Sequence, residues 1–447
     1  MSDEPLLDRI ANRETKVGVV GLGYVGLPLS LSFVEAGFQV RGFDIDDYRV
    51  GDLQAGTSYI DDVTDERLSA ALESGFEPST EQPIVDNCDV YILAVPTGMR
   101  ADEPDMSAVK AAARTVAERS GRRETLVVVS STVYPGATKE VVTPIVEANR
   151  DDTTHFAMVP ERLNPGGEYE FSEIPLVVGA DSEEAGAAAT ELFESVVANA
   201  HPVDSTETAE LAKTLENTYR MVNIAVVNEL VTLAEGLDAD VWDAIDAAAT
   251  KPFGFQPFQP GPGVGGHCIP IDPQFLSWRA EELGTDLSLL NGAQRVNERM
   301  PALVSERVET ALHDRDIDPT EARILALGAA YKPNVGDTRN SPALQVVEAL
   351  PEDAEVIVAD PHTEPTEVAR ELVRTPTASD MQSADIVVLL VDHDAFDLDA
   401  IGEHASLVFD TRDAMPDETD AEVVTLGQGS GETSAEHPTK PPKLESK

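Results

Sequence analysis

Six short apolar runs punctuate the first 180 residues: "KVGVVGLG" (16–23), "QVRGFD" (39–44), "VYILAVPT" (90–97), "TLVVVSST" (125–132), "HFAMVPER" (155–162) and "PLVVGA" (175–180). Each reads as a buried strand, and alanine-rich or amphipathic helical patterns lie between several of them. That alternation predicts a parallel, doubly wound α/β sheet. From about 204 to 249 the strand signal vanishes, and "ETAELAKTLENTYRMVNIAVVNELVTLAEGL" predicts one long helix ending at Gly236. Apolar residues occupy too many of its faces for a simple surface helix, which predicts burial between domains or subunits. Strands resume with "RILALGAAY" (323–331), "EVIVAD" (355–360), "DIVVLLVD" (385–392) and "SLVFDTR" (406–412), a second α/β domain.

The pattern divides the chain into a first α/β domain over 1–203, a central helical region with a glycine-rich loop over 204–312, and a second α/β domain over 313–424. Polar, Pro/Gly/Ser-rich residues from 425 to 447 predict a disordered tail. A length of 447 residues agrees with about three domains at roughly 150 residues each.

Composition narrows the functional classes. The formal charge of −50 is spread along the chain, which excludes nucleic acid and anionic membranes as partners. Only nine of the 32 basic residues are lysine. Dispersed acid with scarce lysine suits a cytosol near salt saturation, where the Debye length is about 3 Å or less and self-repulsion is screened. The N-terminus is charged and no run of 18 apolar residues occurs, so a cytoplasmic chain without a membrane anchor is expected. Two cysteines, with no C-x-x-C pair, fit a reducing compartment rather than a disulfide or zinc framework.

Three stretches carry candidate chemistry. "GLGYVG" follows the first strand and opens a helix: Gly21 permits a tight turn, Gly23 lets backbone N–H groups approach a pyrophosphate, and Gly26 allows close helix packing. Asp44, 18 residues beyond Gly26, ends the next strand, where a carboxylate can bind ribose hydroxyls and repel a 2′-phosphate, so NAD is expected over NADP. The second domain has no such fingerprint. It offers one glycine and then Lys332 and Arg339, suited either to a phosphate-bearing ligand other than a dinucleotide or to surface salt bridges. In "GPGVGGHCIP" (261–270), glycines around Cys268 would admit a substrate to the sulfur, which fits a nucleophile or a small buried cysteine. Cys88, at a strand start, fits the buried role. Adjacent His267 and Cys268 do not make a zinc site, and no metal is expected.

Taken in order, "GLGYVGLP", "VPT", "SSTVYPG", "PERLNPG", "AKTLENTYRMVNIAVVNE", "GPGVGGHCIPIDP" and "LGAAYKPNVGDTRNSPA" closely resemble the UDP-glucose/UDP-N-acetylmannosamine dehydrogenase family from about residue 15 to 415. The resemblance implies two Rossmann-type domains joined by a long dimerising helix, with NAD on the first and the UDP-sugar between the domains, the C-terminal domain being the UDP-sugar-binding one. It implies oxidation of a sugar C6 alcohol to a carboxylate with reduction of two NAD. An aldehyde yields no second hydride until a nucleophile adds to it, and by resemblance that nucleophile is Cys268. Lys213 and Asn217, four apart on the long helix, match the family's oxyanion-stabilising pair. Asp272 and Thr132 match residues that position and activate water, and Glu161 matches a carboxylate assigned to acid/base work in hydrolysis. The same resemblance places Tyr24, Val25, Arg49, Pro96, Thr97 and Thr132 with the glycines and Asp44 on NAD. It places Glu161, Arg162, Lys213, Asn217, Gly265, Lys332, Arg412 and, more weakly, Arg339 on the UDP-sugar.

Departures from the family pattern bear on the substrate. "VPTG" replaces VPTP, and Asn340 stands where glutamate is common. "KPFGF" with Pro270 after the cysteine resembles the branch acting on UDP-N-acetylglucosamine or its galactosamine epimer. Phe253, Phe255 and Phe258 could wall an N-acetyl methyl or anchor the loop in the core. UDP-glucose oxidation, a single-step β-hydroxyacid dehydrogenase and a non-catalytic nucleotide-sugar sensor are the alternatives.

Overall fold

The computed structural model describes residues 4–60, 63–121, 123–148, 153–162 and 169–429. The chain forms two compact units, Met1–Asn217 with Ile271–Asp286, and Thr218–Pro270 with Leu287–Lys447. The division falls inside the helix Thr206–Leu237, so one helix contributes residues to both units.

In the first unit the strands are β1 (Lys16–Val20), β2 (Gln39–Phe43), β3 (Glu77–Ser79), β4 (Val90–Leu93), β5 (Met99–Arg100), β6 (Glu103–Pro104), β7 (Thr125–Val129), β8 (Thr154–Met158), β9 (Leu176–Ala180) and β10 (Ala200–Val203). Eight of them form one sheet in the order β10-β9-β8-β7-β4-β1-β2-β3, parallel except where β9 meets β8. β5 and β6 make a separate antiparallel ribbon just after the "VPTG" turn, where Asp105 N–H donates to Gly98 O at 2.8 Å. Continuous apolar runs suit the central strands because both faces are covered. Val90, Ile92, Leu126 and Val128 enter one buried cluster, while Tyr91, Leu93, Val127 and Val129 enter the other. Each such side chain contributes about 1.5–3 kcal/mol by leaving water.

In the second unit the strands are β11 (Arg323–Leu327), β12 (Glu355–Ala359), β13 (Glu371–Val373), β14 (Ile386–Leu389), β15 (Leu407–Asp410) and β16 (Glu422–Thr425). They form a parallel sheet in the order β13-β12-β11-β14-β15-β16. This is the doubly wound order, and the first sheet contains the same arrangement extended by two strands, so both halves are Rossmann-type.

The predicted central strands are all present. β3, β10, β13 and β16 lack the long apolar runs that marked the others. The packed chain also extends past 425, where the tail was expected to begin. β16 includes Thr425, Leu426 is fully buried, and Trp242 Nε1–H donates to Leu426 O at 2.8 Å. Residues 430–447 of that expected tail lie outside the described residues. No helix among the described residues is long and apolar enough to cross a membrane.

Candidate active site

The turn after β1 is built around Gly21, whose φ of +95° favours glycine and whose N–H donates to Phe43 O at 2.8 Å. Leu22 N–H then donates to Asp44 Oδ2 at 2.7 Å, so the acid ending β2 faces the turn. A Cβ on Gly26 would lie 1.9 Å from Gly21 O, whereas a Cβ on Gly23 would meet nothing within 4 Å. Gly26 is thus demanded by packing. Gly23 borders open space beside the N-terminus of the helix Gly26–Glu35, the geometry a pyrophosphate needs. Tyr24 is exposed there and Val25 precedes the helix. Arg49 Nη1 donates to Asp44 Oδ2 at 3.1 Å. Thr97 Oγ1–H donates to Thr132 O at 2.6 Å, joining the segment carrying Pro96 to the loop after β7.

A second group in this unit gathers Glu161, Lys213, Asn217 and Asp272. Lys213 Nζ lies 3.8 Å from Glu161 Oε2, and Asn217 Nδ2–H donates to Asp272 Oδ2 at 2.5 Å. Burial pushes Glu161 up to about 7; Lys213 opposes the rise, and Asp272 and Glu216 add to it. Burial likewise pushes Asp272 up to about 6 against Lys213 and Asn217. Glu161 Oε1 is buried and has no hydrogen-bond partner among the described residues. A buried ammonium, an amide donor and two carboxylates whose burial raises them toward neutrality are the kinds of group that acid/base chemistry and stabilisation of an oxyanion call for. Arg162, beside Glu161, donates to Pro175 O at 2.5 Å and pairs with Glu216 at 2.6 Å.

One acid in this region was not legible in the sequence. Glu210, fully buried, accepts from Gly136 N–H (2.5 Å), Thr138 N–H (2.8 Å) and Thr138 Oγ1–H (2.6 Å), fixing the loop after β7 to the helix that carries Lys213. Burial pushes it up to about 7 despite those donors. In a chain with 82 acidic residues nothing local distinguishes it, except that it shares a helical face with Lys213 and Asn217.

In the second unit, the glycine loop begins where Gly261 N–H donates to Asn228 Oδ1 at 3.0 Å, and Asn228 in turn donates to Asn297 Oδ1 at 3.0 Å. A Cβ on Gly265 would lie 2.6 Å from Pro342 Cδ and 2.8 Å from Tyr331 Cβ, so the glycine packs the loop against the segment after β11. Asn340, with φ of +51°, donates through Nδ2–H to Gly266 O at 3.0 Å. That explains the departure from glutamate in local terms: asparagine tolerates the left-handed backbone and supplies a donor. Cys268 is half-buried, in contrast to Cys88, which is buried and whose thiol burial pushes up to about 12. Burial lowers the pKa of His267, and Arg339 adds to the effect.

Among the predicted cations, Arg412 is held by its Nε–H on Leu390 O at 2.7 Å. Burial lowers its pKa, while Asp392 and Asp410 oppose. A Cβ on Gly261 would lie 2.9 Å from its Nη1. Lys332 Nζ lies 5.8 Å from the Tyr331 ring centroid. Arg339 makes a two-pronged salt bridge to Asp337, the surface pairing considered for it from sequence. Phe258 packs, partly buried, against the cluster of Val227, Ala234, Val241, Trp242 and Ile245, while Phe253 and Phe255 are exposed.

These features define a dinucleotide-dependent oxidoreductase with a second nucleotide-binding domain, and comparison with known proteins gives its family. Models of the UDP-glucose/GDP-mannose dehydrogenase family match as the NAD binding domain over residues 15–197, the central domain over 207–299 and the UDP binding domain over 325–417. The chain belongs to this family. It is an NAD-dependent oxidoreductase whose C-terminal domain is a UDP-binding domain. It is 36% identical over 388 residues to the UDP-N-acetyl-D-mannosamine dehydrogenase of Pyrococcus horikoshii, covering 85% of this chain and 90% of the relative. It is 34% identical over 395 residues to the UDP-N-acetyl-D-glucosamine 6-dehydrogenase of Pseudomonas aeruginosa, covering 86% and 92%. The solved structure of the Pyrococcus horikoshii enzyme superposes with a TM-score of 0.84 at 32% identity, covering 93% of this chain and 99% of that one.

Proposed function

We propose that the chain oxidises C6 of a UDP-N-acetylhexosamine, UDP-N-acetylglucosamine or an epimer, from alcohol to carboxylate in two two-electron steps. The buried Glu161–Lys213–Asn217–Asp272 group supports this reading most directly, because a binding-only protein gains nothing from two carboxylates held near neutral pKa. The N-acetyl group is common to the named activities of both relatives above.

Gly21, Gly23, Gly26 and Asp44 hold NAD, with Tyr24, Val25, Arg49, Pro96, Thr97 and Thr132 around it. When bound, NAD supplies the hydride acceptor for both oxidations. Lys213 and Asn217 stabilise the oxygen charge that develops at C6. Asp272 and Thr132 hold the water that takes the alcohol proton. Cys268, as thiolate, forms an S–C bond to the aldehyde, and loss of hydride from that thiohemiacetal leaves a thioester. Water activated with Asp272 and Glu161 cleaves the thioester, releasing the carboxylate and the free cysteine. Lys332 and Arg412 bind the UDP portion, with Gly265, Arg162 and Arg339 beside the ligand.

We further propose a homodimer through the helix Thr206–Leu237, on which Leu215, Tyr219, Val226, Leu230, Leu233 and Leu237 remain exposed. The charge of −50 with scarce lysine supports a salt-rich setting, two cysteines with no C-x-x-C pair support a cytoplasmic one, and the product suits surface-glycan synthesis.

The test is NADH counting and mass spectrometry of product with a panel of UDP-sugars in molar potassium chloride. About two NADH per sugar and a carboxylate are expected, with N-acetylhexosamines at least about tenfold ahead of UDP-glucose in kcat/KM. Cys268→Ala should lower acid formation by about a thousandfold or more while NAD and UDP still bind. One NADH per sugar with a stable aldehyde would leave the single-step dehydrogenase, and faster turnover of UDP-glucose would move the chain to that branch. In dilute buffer, activity and melting temperature should fall together; full activity there would remove the salt-rich setting.

A further inference from the structure

We propose that Asp360 and His393 are positioning residues that hold the turn carrying Lys332 in the shape that binds UDP. The inference rests on the reading of Lys332 as a ligand of the nucleotide. It starts from a buried pair that the catalytic scheme above does not use: both side chains are completely buried, and His393 Nε2 lies 3.1 Å from Asp360 Oδ2.

The pair braces the Lys332 turn on both sides. Upstream, Ala329 N–H (2.7 Å) and Ala330 N–H (3.1 Å) donate to Asp360 Oδ2. Downstream, Asn334 N–H donates to His393 Nδ1 at 3.0 Å. Asn334 has φ of +61°, and its side chain exchanges two hydrogen bonds with Asp394, at 2.9 and 3.0 Å. Lys332 falls in the short span between the two anchors. Because Nδ1 accepts from a backbone N–H, the ring proton sits on Nε2 and is donated to Asp360.

The brace is rigid. His362 N–H and Thr363 N–H, both at 2.8 Å, fill Asp360 Oδ1, while the His393 ring packs edge-on against Phe396 at 5.4 Å and tilted against His362 at 5.0 Å. Burial alone would raise the Asp360 pKa, yet the donors from His393, Ala329 and His362 hold it well below the usual carboxylate range. Lysine is a flexible point charge, so its usefulness toward a diphosphate depends on where its backbone is held, and displacement by about 1 Å is enough to cost activity.

Calorimetry with UDP as the probe and NAD as the internal control, on the full chain in molar potassium chloride, tests this. His393→Gln can still donate to Asp360 but no longer accepts from Asn334; it should weaken UDP about tenfold and leave NAD within twofold. His393→Asn places an acceptor near the Nδ1 position and should recover most of that loss. Should neither fold, Asp394→Ala at an exposed position loosens the same Asn334 anchor and should weaken UDP about threefold. UDP affinity equal to wild type in a folded His393→Gln protein, or in Asp394→Ala when the His393 variants do not fold, overturns the inference. Parallel loss of NAD affinity would mark a merely structural role and overturn it equally. Lys332→Ala separates the two layers. If it binds UDP normally, the reading of Lys332 fails; if it weakens UDP while His393→Gln does not, the positioning role fails alone.

Discussion

Gly21 and Gly328 leave the first strands of their sheets at nearly the same φ, +95° and +97°, and each N–H donates over 2.8 Å to the carbonyl ending the neighbouring strand, Phe43 or Ala359. The next N–H, of Leu22 or Ala329, donates at 2.7 Å to the acid after that strand, Asp44 or Asp360. There the two turns diverge. Asp44 accepts from Leu22, Asp46 and Arg49, and a carboxylate has about four lone-pair sites, so it retains capacity for a ribose hydroxyl. Asp360 accepts from Ala329, Ala330, His362, Thr363 and His393, which saturates it. One framework therefore leaves its strand-end acid with open acceptor sites in the first domain and fills those sites to build a turn in the second. The difference lies in how many donors the following residues supply.

Exchanging the acids for alanine gives the largest contrast. Asp360→Ala orphans five donors and should cost roughly 3–5 kcal/mol, read as a lowered denaturation midpoint. Asp44→Ala should cost about 1 kcal/mol in stability and appear instead as at least about a tenfold rise in KM for NAD with a narrower preference over NADP. Equal loss of stability in the two variants would erase the distinction.

Glycine substitutions sharpen it at lower amplitude. Gly21→Ala and Gly328→Ala both force a side chain into left-handed backbone, with the new Cβ 2.5 Å from Ala94 O or 2.4 Å from Val391 Cβ, and each should lose about 1–3 kcal/mol. Gly23→Ala meets only open space, so its melting temperature should not move while NAD weakens by about tenfold. A drop in melting temperature would mean the space is needed by the protein itself.

The smallest expected effect concerns pH and contrasts Asp360 with Glu161. Asp360 has a depressed folded pKa, so the stability it contributes is present above the ordinary carboxylate pKa and disappears as pH falls through its low folded value. Glu161 has a raised one, so its contribution is present below its ordinary 4.5 and is lost as pH rises through about 7. Glu161→Gln should therefore gain on wild type between pH 6 and 8 by about 1–2 kcal/mol in denaturant titrations. A constant difference across that range would place the titration elsewhere.

The dinucleotide turn was legible because its parts are local: glycines at fixed spacing, flanked by a strand and a helix, with Asp44 closing the next strand. The mirror acid was also visible, since "EVIVAD" ends as "QVRGFD" does, but its partner His393 lies 33 residues on, and no local pattern joins them. Lys213 and Asn217 could be paired by helical spacing alone. Asp272 could not, because it reaches Asn217 across 55 residues. Leu426 reads as tail in the sequence because the residues from 425 on are rich in glycine and polar side chains, yet Trp242 holds its carbonyl and its side chain is fully buried. Phe258 and Phe253 look alike in sequence; only packing separates the anchor from the exposed ring.

The first unit's discontinuity in sequence sets an order of assembly. When residue 217 has been synthesised, every strand of the first sheet exists, yet Phe275, buried in that unit's core, and Asp272, the partner of Asn217, do not. About 70 further residues must be added before Asp286 completes the unit, roughly 4–14 s at 5–20 residues per second. A nascent NAD-binding sheet thus waits with an unfilled apolar site beneath its surface and an asparagine lacking its acid. The last part of this unit to close is the segment that brings Asp272 to Asn217, so a chain that stops near residue 217 has every strand of the first sheet but lacks one carboxylate of the buried Glu161–Lys213–Asn217–Asp272 group.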